Sequence, residues 1–310
     1  MPNILLADVG GTNARFALYN HTRMTSIKIF NNRDYTSFHE ILTTYLGSIS
    51  QTPTDFILGG AGIIQKNILY FSNLNWKINT KELKKEFHFK NVLLVNDFVL
   101  QGLGLLKLKK KDLLPLSNQK VDSSQPILLI GPGTGLGCCF IHNGKILESE
   151  AGHTTLSPIS PLQHKIAAIL SKKIMPLSFE RVLSGSGLIN IYNALAQINK
   201  IKSSIQSTEE LYRLALQKNT LALESYQLFF EFLGIFAGNL ALSLKTGGGI
   251  YLTGSILQDK YILELFKKSQ FMFYFTQKGR FESYLKTMPI FLVLKAHMAF
   301  DGLKYLAQRL

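Results

Sequence analysis

Cysteine is nearly missing from this chain of 310 residues, which holds only Cys138 and Cys139. Adjacent residues of an extended segment point to opposite faces, so this pair cannot share a metal ion. Both read as strand residues in a reducing compartment. Acidic residues are also scarce: 20 Asp and Glu stand against 34 Lys and Arg, a formal net charge of +14. Such an excess concentrates polyanions near the surface without naming one. The lysines form short clusters, Lys84-Lys85, Lys107 with Lys109-Lys110-Lys111, and Lys172-Lys173, with no arginine-rich arm and no basic block interleaved with aromatics. Solvated faces account for such clusters better than a nucleic-acid footprint does, so no nucleic-acid partner is expected.

The start, Met1-Pro2-Asn3, has no basic region, and the apolar run Ile4 to Ala7 is too short for a signal peptide. A cytoplasmic protein is expected. The most membrane-like stretch, Leu228 to Leu244, is broken by Glu231 and Asn239 and carries Gly234 and Gly238 at the spacing of closely packed helices. It reads as a buried helix, and no membrane partner is expected. What is present is ordinary globular material: 46% apolar and 17% charged residues exclude disordered and fibrous classes. The length favours two domains over one.

One local plan occurs twice. The apolar run Ile4 to Ala7 ends at Asp8, passes through Gly10-Gly11-Thr12-Asn13, and continues in the alternating segment Arg15 to Tyr19. Pro126 to Ile130, the glycine-rich Gly131 to Gly137, and Cys138 to Ile141 repeat it. Each is a strand, a tight turn and a returning strand. Between the copies, Asp55 to Leu58 and Val92 to Val95 read as strands and Lys81 to Phe87 as an amphipathic helix. After the second copy, helices are expected over 162–174, 187–198, 208–218 and 221–244. Gly247-Gly248-Gly249 is expected to stop the last of these and launch a strand, Ile250 to Thr253. A final helix spans Ala299 to Arg309. The expected division is a small α/β domain over 1–105, a large one over 106–297, and a last helix, 298–310, returning to the first.

The atoms of the first turn suit a phosphate. Consecutive glycines allow positive φ and let backbone N–H groups approach an anion, and Thr12 adds a hydroxyl donor. Asp8, at the strand end, can hold a Mg²⁺ ion through water. The alternative is a plain hairpin turn, which needs no such combination of Asp, Gly-Gly and Thr. The second turn fits neither the dinucleotide fingerprint, which wants Gly at Leu136, nor the P-loop, which wants Gly-Lys-Ser or Gly-Lys-Thr. Paired with the first, it supplies a second set of backbone donors.

Six blocks follow one another in the order found in bacterial glucokinases, which this chain resembles over nearly its whole length. They are Leu6 to Arg15, Val95-Asn96-Asp97-Phe98, Gly133-Thr134-Gly135-Leu136-Gly137, Glu150-Ala151-Gly152-His153, Glu180 to Gly185, and Gly238 to Leu242. The resemblance implies a two-domain actin-like ATPase (ribonuclease H-like) α/β fold with its active site in the interdomain cleft. It implies ATP and Mg²⁺ as cofactors, glucose as the phosphoryl acceptor, and a homodimer. Asp97 is implied as the catalytic base, a role a carboxylate at a strand end can fill by taking a hydroxyl proton. An Asp that merely caps the next helix is the plain alternative. Asn96, Asp97, Glu150, His153 and Glu180 are implied as sugar ligands. Asp8, Gly10, Gly11, Thr12, Asn13, Gly133, Thr134, Gly135 and Gly254 are implied around the nucleotide.

The chain departs from the family pattern at four places. Gly60-Ala61-Gly62-Ile63 lacks the usual proline, Gly254-Ser255 replaces Gly-Gly, Glu150-Ala151-Gly152-His153 replaces Glu-Gly-Gly-His, and Ala299-Phe300-Asp301-Gly302 is poorer in glycine. A kinase for another hexose is one alternative function, and a catalytically idle sugar or nucleotide sensor is another. The Cys-rich zinc signature of the neighbouring family of repressors and sugar kinases is absent.

Overall fold

The computed structural model describes residues 3–20, 22–72, 74–202 and 204–309. Met1, Pro2 and Leu310, which entered the reading of the two ends, lie outside them. The chain divides into two compact units: Met1–Lys109 with Lys295–Leu310 (unit 1), and Lys110–Leu294 (unit 2).

Unit 1 is laid out by an unbroken apolar strand. Strand β1 (Asn3–Val9) is buried at every position after the first, as a central strand covered on both faces must be. It pairs antiparallel with β2 (Asn13–Tyr19), which pairs antiparallel with β3 (Met24–Asn31). Helix α1 (Phe38–Gly47) follows, with Ser37 accepting the Glu40 N–H at its start. Strand β4 (Pro53–Gly60) then returns parallel to β1. A small antiparallel sheet of β5 (Gly62–Gln65), β6 (Ile68–Phe71) and β7 (Lys77–Asn79) leads to helix α2 (Thr80–Phe87). Strand β8 (Asn91–Asn96) lies parallel to β4 and runs straight into helix α3 (Asp97–Leu105). The main sheet therefore has the order β3-β2-β1-β4-β8. Leu5, Ala7 and Val9 face a core with Phe16, Phe38, Phe56 and Leu83. Ile4 and Leu6 face a second core with Leu100 of α3. Phe16 is fully buried and stacks on Tyr45 at 4.9 Å, so truncating it to Ala costs about 3–5 kcal/mol.

Unit 2 repeats that order. After a short strand β9 (Leu113–Pro115), strands β10 (Ile127–Pro132), β11 (Leu136–His142) and β12 (Lys145–Ser149) form an antiparallel meander. Helices α4 (Pro161–Ser171), α5 (Gly185–Ile198), α6 (Thr208–Leu216) and α7 (Thr220–Leu244) come next. Strand β13 (Ile250–Leu252) lies parallel to β10. Four short helices, α8 (Ser255–Gln258), α9 (Lys260–Lys267), α10 (Phe271–Thr276) and α11 (Glu282–Leu285), precede β14 (Ile290–Val293), parallel to β13. The sheet order is β12-β11-β10-β13-β14-β9, and its first five strands match the five of unit 1 one for one. Cys138 joins the main core of unit 2, Cys139 lies buried on the opposite face, and both are free thiols.

Helix α7 is the one described helix long and apolar enough to cross a membrane, and 67% of its most apolar window is buried inside the protein. Its buried Glu231 accepts from Gln163 Nε2 at 2.8 Å and Gln227 Nε2 at 3.3 Å, which satisfies the carboxylate. A Cβ at Gly234 or Gly238 would run into the Phe271 or Phe275 carbonyl of α10, so these glycines set a close helix crossing. The stop of α7 differs from expectation. Lys245, in the left-handed region at φ 50°, ends the helix, its N–H returning to Ala241 O. Gly248 instead packs against the Gln125 carbonyl, and Gly249 bends the chain at φ 114° into β13.

The chain then returns to unit 1 as helix α12 (Met298–Ala307), whose Ala299, Phe300, Leu303 and Ala307 complete the core around Ile4, Leu6 and Leu100. Gly104 of α3 abuts the Met298 carbonyl, and Gly302 of α12 abuts the Leu100 carbonyl. Each helix thus has a glycine where the other's backbone comes closest.

Candidate active site

In unit 1 the candidate residues collect at one end of the sheet. Val9, Gly60 and Asn96 stand side by side on β1, β4 and β8. The chain beyond β4 is tied back to this row: Ala61 N donates to Val9 O at 3.2 Å, and Asn96 Nδ2 donates to Gly62 O at 3.2 Å. Gly62 sits where a Cβ would strike the Tyr70 carbonyl, which fixes glycine there with or without a neighbouring proline. Asn96 caps α3, its Oδ1 accepting from Phe98 N at 2.8 Å and Val99 N at 3.3 Å. The capping task that could have explained Asp97 therefore falls to Asn96. Asp97 is the first residue of α3, and its Oδ1 accepts from Phe98 N at 3.0 Å.

The turn from Gly10 to Asn13 closes with Gly10 N donating to Asn13 O at 3.0 Å. Asn32, 3% exposed, takes both nearby carbonyls: its Nδ2 donates to Gly10 O at 2.8 Å and its backbone N–H to Thr12 O at 2.9 Å. Gly10 departs from expectation, because its φ is not in the left-handed region and an added Cβ would meet only Asn13 O, at 3.8 Å. The fold does not demand glycine here. Asp8 faces Arg15 across the β1–β2 ladder, with Arg15 Nη1 3.6 Å from its Oδ2. Burial pushes the Asp8 carboxyl up, opposed by the charges of Arg15 and His297. Among the described residues no group of three or more His, Cys, Asp or Glu could hold a metal ion. One carboxylate beside a glycine turn is still compatible with Mg²⁺, which commonly keeps its waters and binds through one or two carboxylates and substrate phosphates.

Unit 2 carries the matching turn. Gly133 N donates to Gly135 O at 2.8 Å, with Thr134 between them. Gly133 O accepts from Gly185 N at 2.9 Å. An added Cβ at Gly133 meets nothing within 4 Å, again with no left-handed φ. Gly254 is the opposite case: its φ is 106° and a Cβ would strike the Pro132 carbonyl, so the fold itself requires it. Ser255, in place of the second glycine, is exposed at the start of α8.

Beside this turn lie three of the five candidate sugar ligands, Glu150, His153 and Glu180. A single 3₁₀ turn, Ala151–His153, sets His153 Nε2 3.8 Å from Glu150 Oε2. His153 Nδ1 is 3.9 Å from Glu180 Oε1. The segment carrying Glu180 runs antiparallel to the one carrying His153, joined by Phe179 N to Thr154 O at 3.0 Å and Leu156 N to Leu177 O at 2.9 Å. Glu180 Oε2 accepts from Leu136 N at 2.9 Å. Partial burial raises the Glu150 carboxyl above its ordinary range, with His153 opposing and Glu180 and Glu148 assisting. Gly152 abuts the Leu136 carbonyl and admits no Cβ, whereas Ala151 sits half-buried without conflict, so the family's first glycine is the one this fold can spare. Asn32 escaped the sequence reading, and Ser184 entered it only as a member of the block Glu180 to Gly185, with no role of its own. Ser184 carried a signal, as a serine directly before the glycine-rich start of α5, and Asn32 carried none.

Known proteins share this framework. The family model described as Glucokinase matches residues 5–310. The glucokinase of Neisseria meningitidis serogroup B is 34% identical over 308 residues, 96% of this chain and 92% of the relative. A crystal structure of glucokinase from an Antarctic psychrotroph superposes with a TM-score of 0.79 at 28% identity, covering 100% of both chains. A ROK family glucokinase from Streptomyces griseus, solved with glucose and AMPPNP, shares the fold with a TM-score of 0.67 at 16% identity, over 99% of both chains. With a family match that spans all but the first four residues, the chain is an enzyme of the glucokinase family.

Proposed function

We propose that this chain transfers the γ-phosphoryl group of ATP to the 6-hydroxyl of glucose. The observation that carries the nucleotide half is the pair of turns at Gly10 and Gly133. Each has space that a Cβ would fill, no left-handed φ to explain its glycine, and its glycine carbonyl bonded to a protein donor. With those carbonyls occupied, neither is turned free toward a phosphate, and the two glycines leave room for one close to the backbone. The duplicated strand order supports the actin-like, ribonuclease H-like assignment. The Streptomyces griseus neighbour, solved with glucose and AMPPNP, supports the substrate pair.

In this mechanism Asp97 accepts the proton of the attacking hydroxyl as the phosphoryl group transfers, a reaction governed by positioning more than by covalent chemistry. Asn96 fixes the helix start that aims Asp97. Glu150, His153 and Glu180 hold the sugar hydroxyls, and a site built on such bonds rejects analogues that lack them. Asp8 would hold Mg²⁺ through water, and the ion supplies charge neutralisation for the phosphates. The test is a coupled ADP-release assay across a panel of hexoses, with and without excess chelator. Glucose-dependent release that the chelator abolishes is expected. Release that ignores the sugar, or silence despite calorimetric proof of bound glucose, would remove the kinase assignment and favour a sensor.

A further inference from the structure

Leu136 is the point where the nucleotide turn and the sugar cluster of unit 2 touch. Its N–H donates to Glu180 Oε2 at 2.9 Å, and its carbonyl is abutted by Gly152, between Glu150 and His153. It directly follows Gly135, whose carbonyl closes the turn with Gly133 N at 2.8 Å. The other support of the turn is Gly185, which donates to Gly133 O at 2.9 Å. Ser184, 0% exposed, stands behind both contacts. Its Oγ donates to Glu180 O at 2.8 Å and accepts from Gly187 N at 3.0 Å. Ser186 Oγ lies 3.1 Å away and, with the Ser184 proton already committed, is the donor of that pair. One donation and two acceptances exhaust a hydroxyl. A single buried side chain therefore fixes the backbone of Glu180 and the first turn of α5, whose leading amide holds the Gly133 carbonyl.

We infer that nucleotide and sugar bind this chain with positive, reciprocal coupling carried by the Glu180–Leu136 hydrogen bond, and that Ser184 is the positioning residue that sustains it. The inference rests on the proposed assignment of the Gly133–Gly135 turn to phosphates and Glu180 to the sugar. A phosphate on the turn fixes the Leu136 N–H, and with it the carboxylate that accepts from it. A sugar hydroxyl on Glu180 fixes the same bond from the other side. Ordering that one ligand has already imposed is not imposed again by the second. The coupling is a free energy, so each ligand raises the other's affinity by the same factor.

Titration calorimetry of the purified protein tests this, with glucose added in the absence and presence of Mg²⁺-AMPPNP, and AMPPNP added in the absence and presence of glucose. Both affinities should rise by one shared factor, on the order of tenfold. Ser184→Ala should bring that factor close to one while both ligands still bind, and Ser184→Thr, which keeps the hydroxyl, should retain most of it. If Ser184→Ala does not fold, Glu180→Asp serves instead: the shorter carboxylate withdraws from Leu136 N, and the factor should fall beyond any loss of glucose affinity itself. Wild-type affinities unaffected by the other ligand overturn the coupling while leaving the kinase assignment intact if ADP is released. Failure of both ligands to bind overturns the assignment and the inference together. A factor undiminished in Ser184→Ala removes Ser184 from the role.

Discussion

The two sheets share a strand order, yet the central hairpins carry different chemistry at the same rung. One rung back from the last pair before the turn, unit 1 places Asp8 against Arg15, and unit 2 places Gly131 against Gly137. The first hairpin brings a buried carboxylate and its guanidinium to the turn, and the second brings no side chain at all. The same division runs through the neighbouring residues. Unit 1 holds Asp97 on a helix start, suited to moving a proton, whereas unit 2 gathers Glu150, His153 and Glu180, suited to holding hydroxyls. A repeated scaffold thus supplies the geometry twice, and under the proposed roles a few side chains divide reaction from recognition.

The comparison breaks first at Asp97. Asp97→Asn keeps the side-chain shape and loses the proton acceptor, so kcat should fall by about 10³-fold, within the usual range for general bases. Glucose affinity by calorimetry should stay close to wild type. Wild-type-like turnover would remove unit 1's claim on the reaction.

The glycines sharpen it next. Gly254→Ala forces an alanine into φ 106° and against the Pro132 carbonyl, a strain and overpacking cost of about 3 kcal/mol that denaturant unfolding would read directly. Gly133→Ala meets open space, so stability should move by less than about 1 kcal/mol. Its effect should appear in the KM for ATP instead. Losing one hydrogen bond to a charged phosphate, about 1.5 kcal/mol, is roughly a tenfold rise. Equal losses of stability in the two variants would erase the distinction between a glycine the fold needs and one the ligand needs.

The smallest effect is on pH dependence. Burial raises the Glu150 carboxyl, so it takes up a proton at a higher pH than an ordinary glutamate whose value is 4.5. The protonated form accepts fewer sugar hydrogen bonds, so the KM for glucose should climb as pH falls, starting above that value. Glu150→Gln should flatten this limb and leave the profile of kcat unmoved. An unchanged acid limb in the variant would place the titration elsewhere.

Much of this architecture was legible because it is written locally. The hairpins announce themselves as an apolar run, a glycine turn and an alternating return. Helix α7 was expected over 221–244 and spans Thr220–Leu244. Helix α10 received no element, since Phe-Met-Phe-Tyr-Phe-Thr has the composition of a strand. It is helical where Gly234 and Gly238 let it press against α7, a contact that no local window contains. Glycine was misjudged in part. At the first turn the expectation joined positive φ to close backbone approach; Gly10 shows no left-handed φ, and both Gly10 and Gly133 leave room for a Cβ. The side chains of the candidate site could be named because their chemistry is visible in their letters. Their supports could not: Leu136 reaches Glu180 through a backbone amide across 44 residues, and Asn32 serves the first turn from the 3₁₀ turn that follows an edge strand.

The return of α12 sets an order in time. A ribosome makes residues 1–109 before unit 2, and residues 295–310 after it. Until Ala299, Phe300, Leu303 and Ala307 emerge, the face of the first sheet that bears Ile4, Leu6, Ala17 and Ile57 has Leu100 of α3 packed on it but lacks the rest of its cover. The glycine on each of α3 and α12 has no partner backbone until then either. The helix that begins at Asp97 is therefore fully packed only after the segment beyond unit 2 has been made, so a nascent chain carries unit 2 before it carries an organised setting for the proposed base.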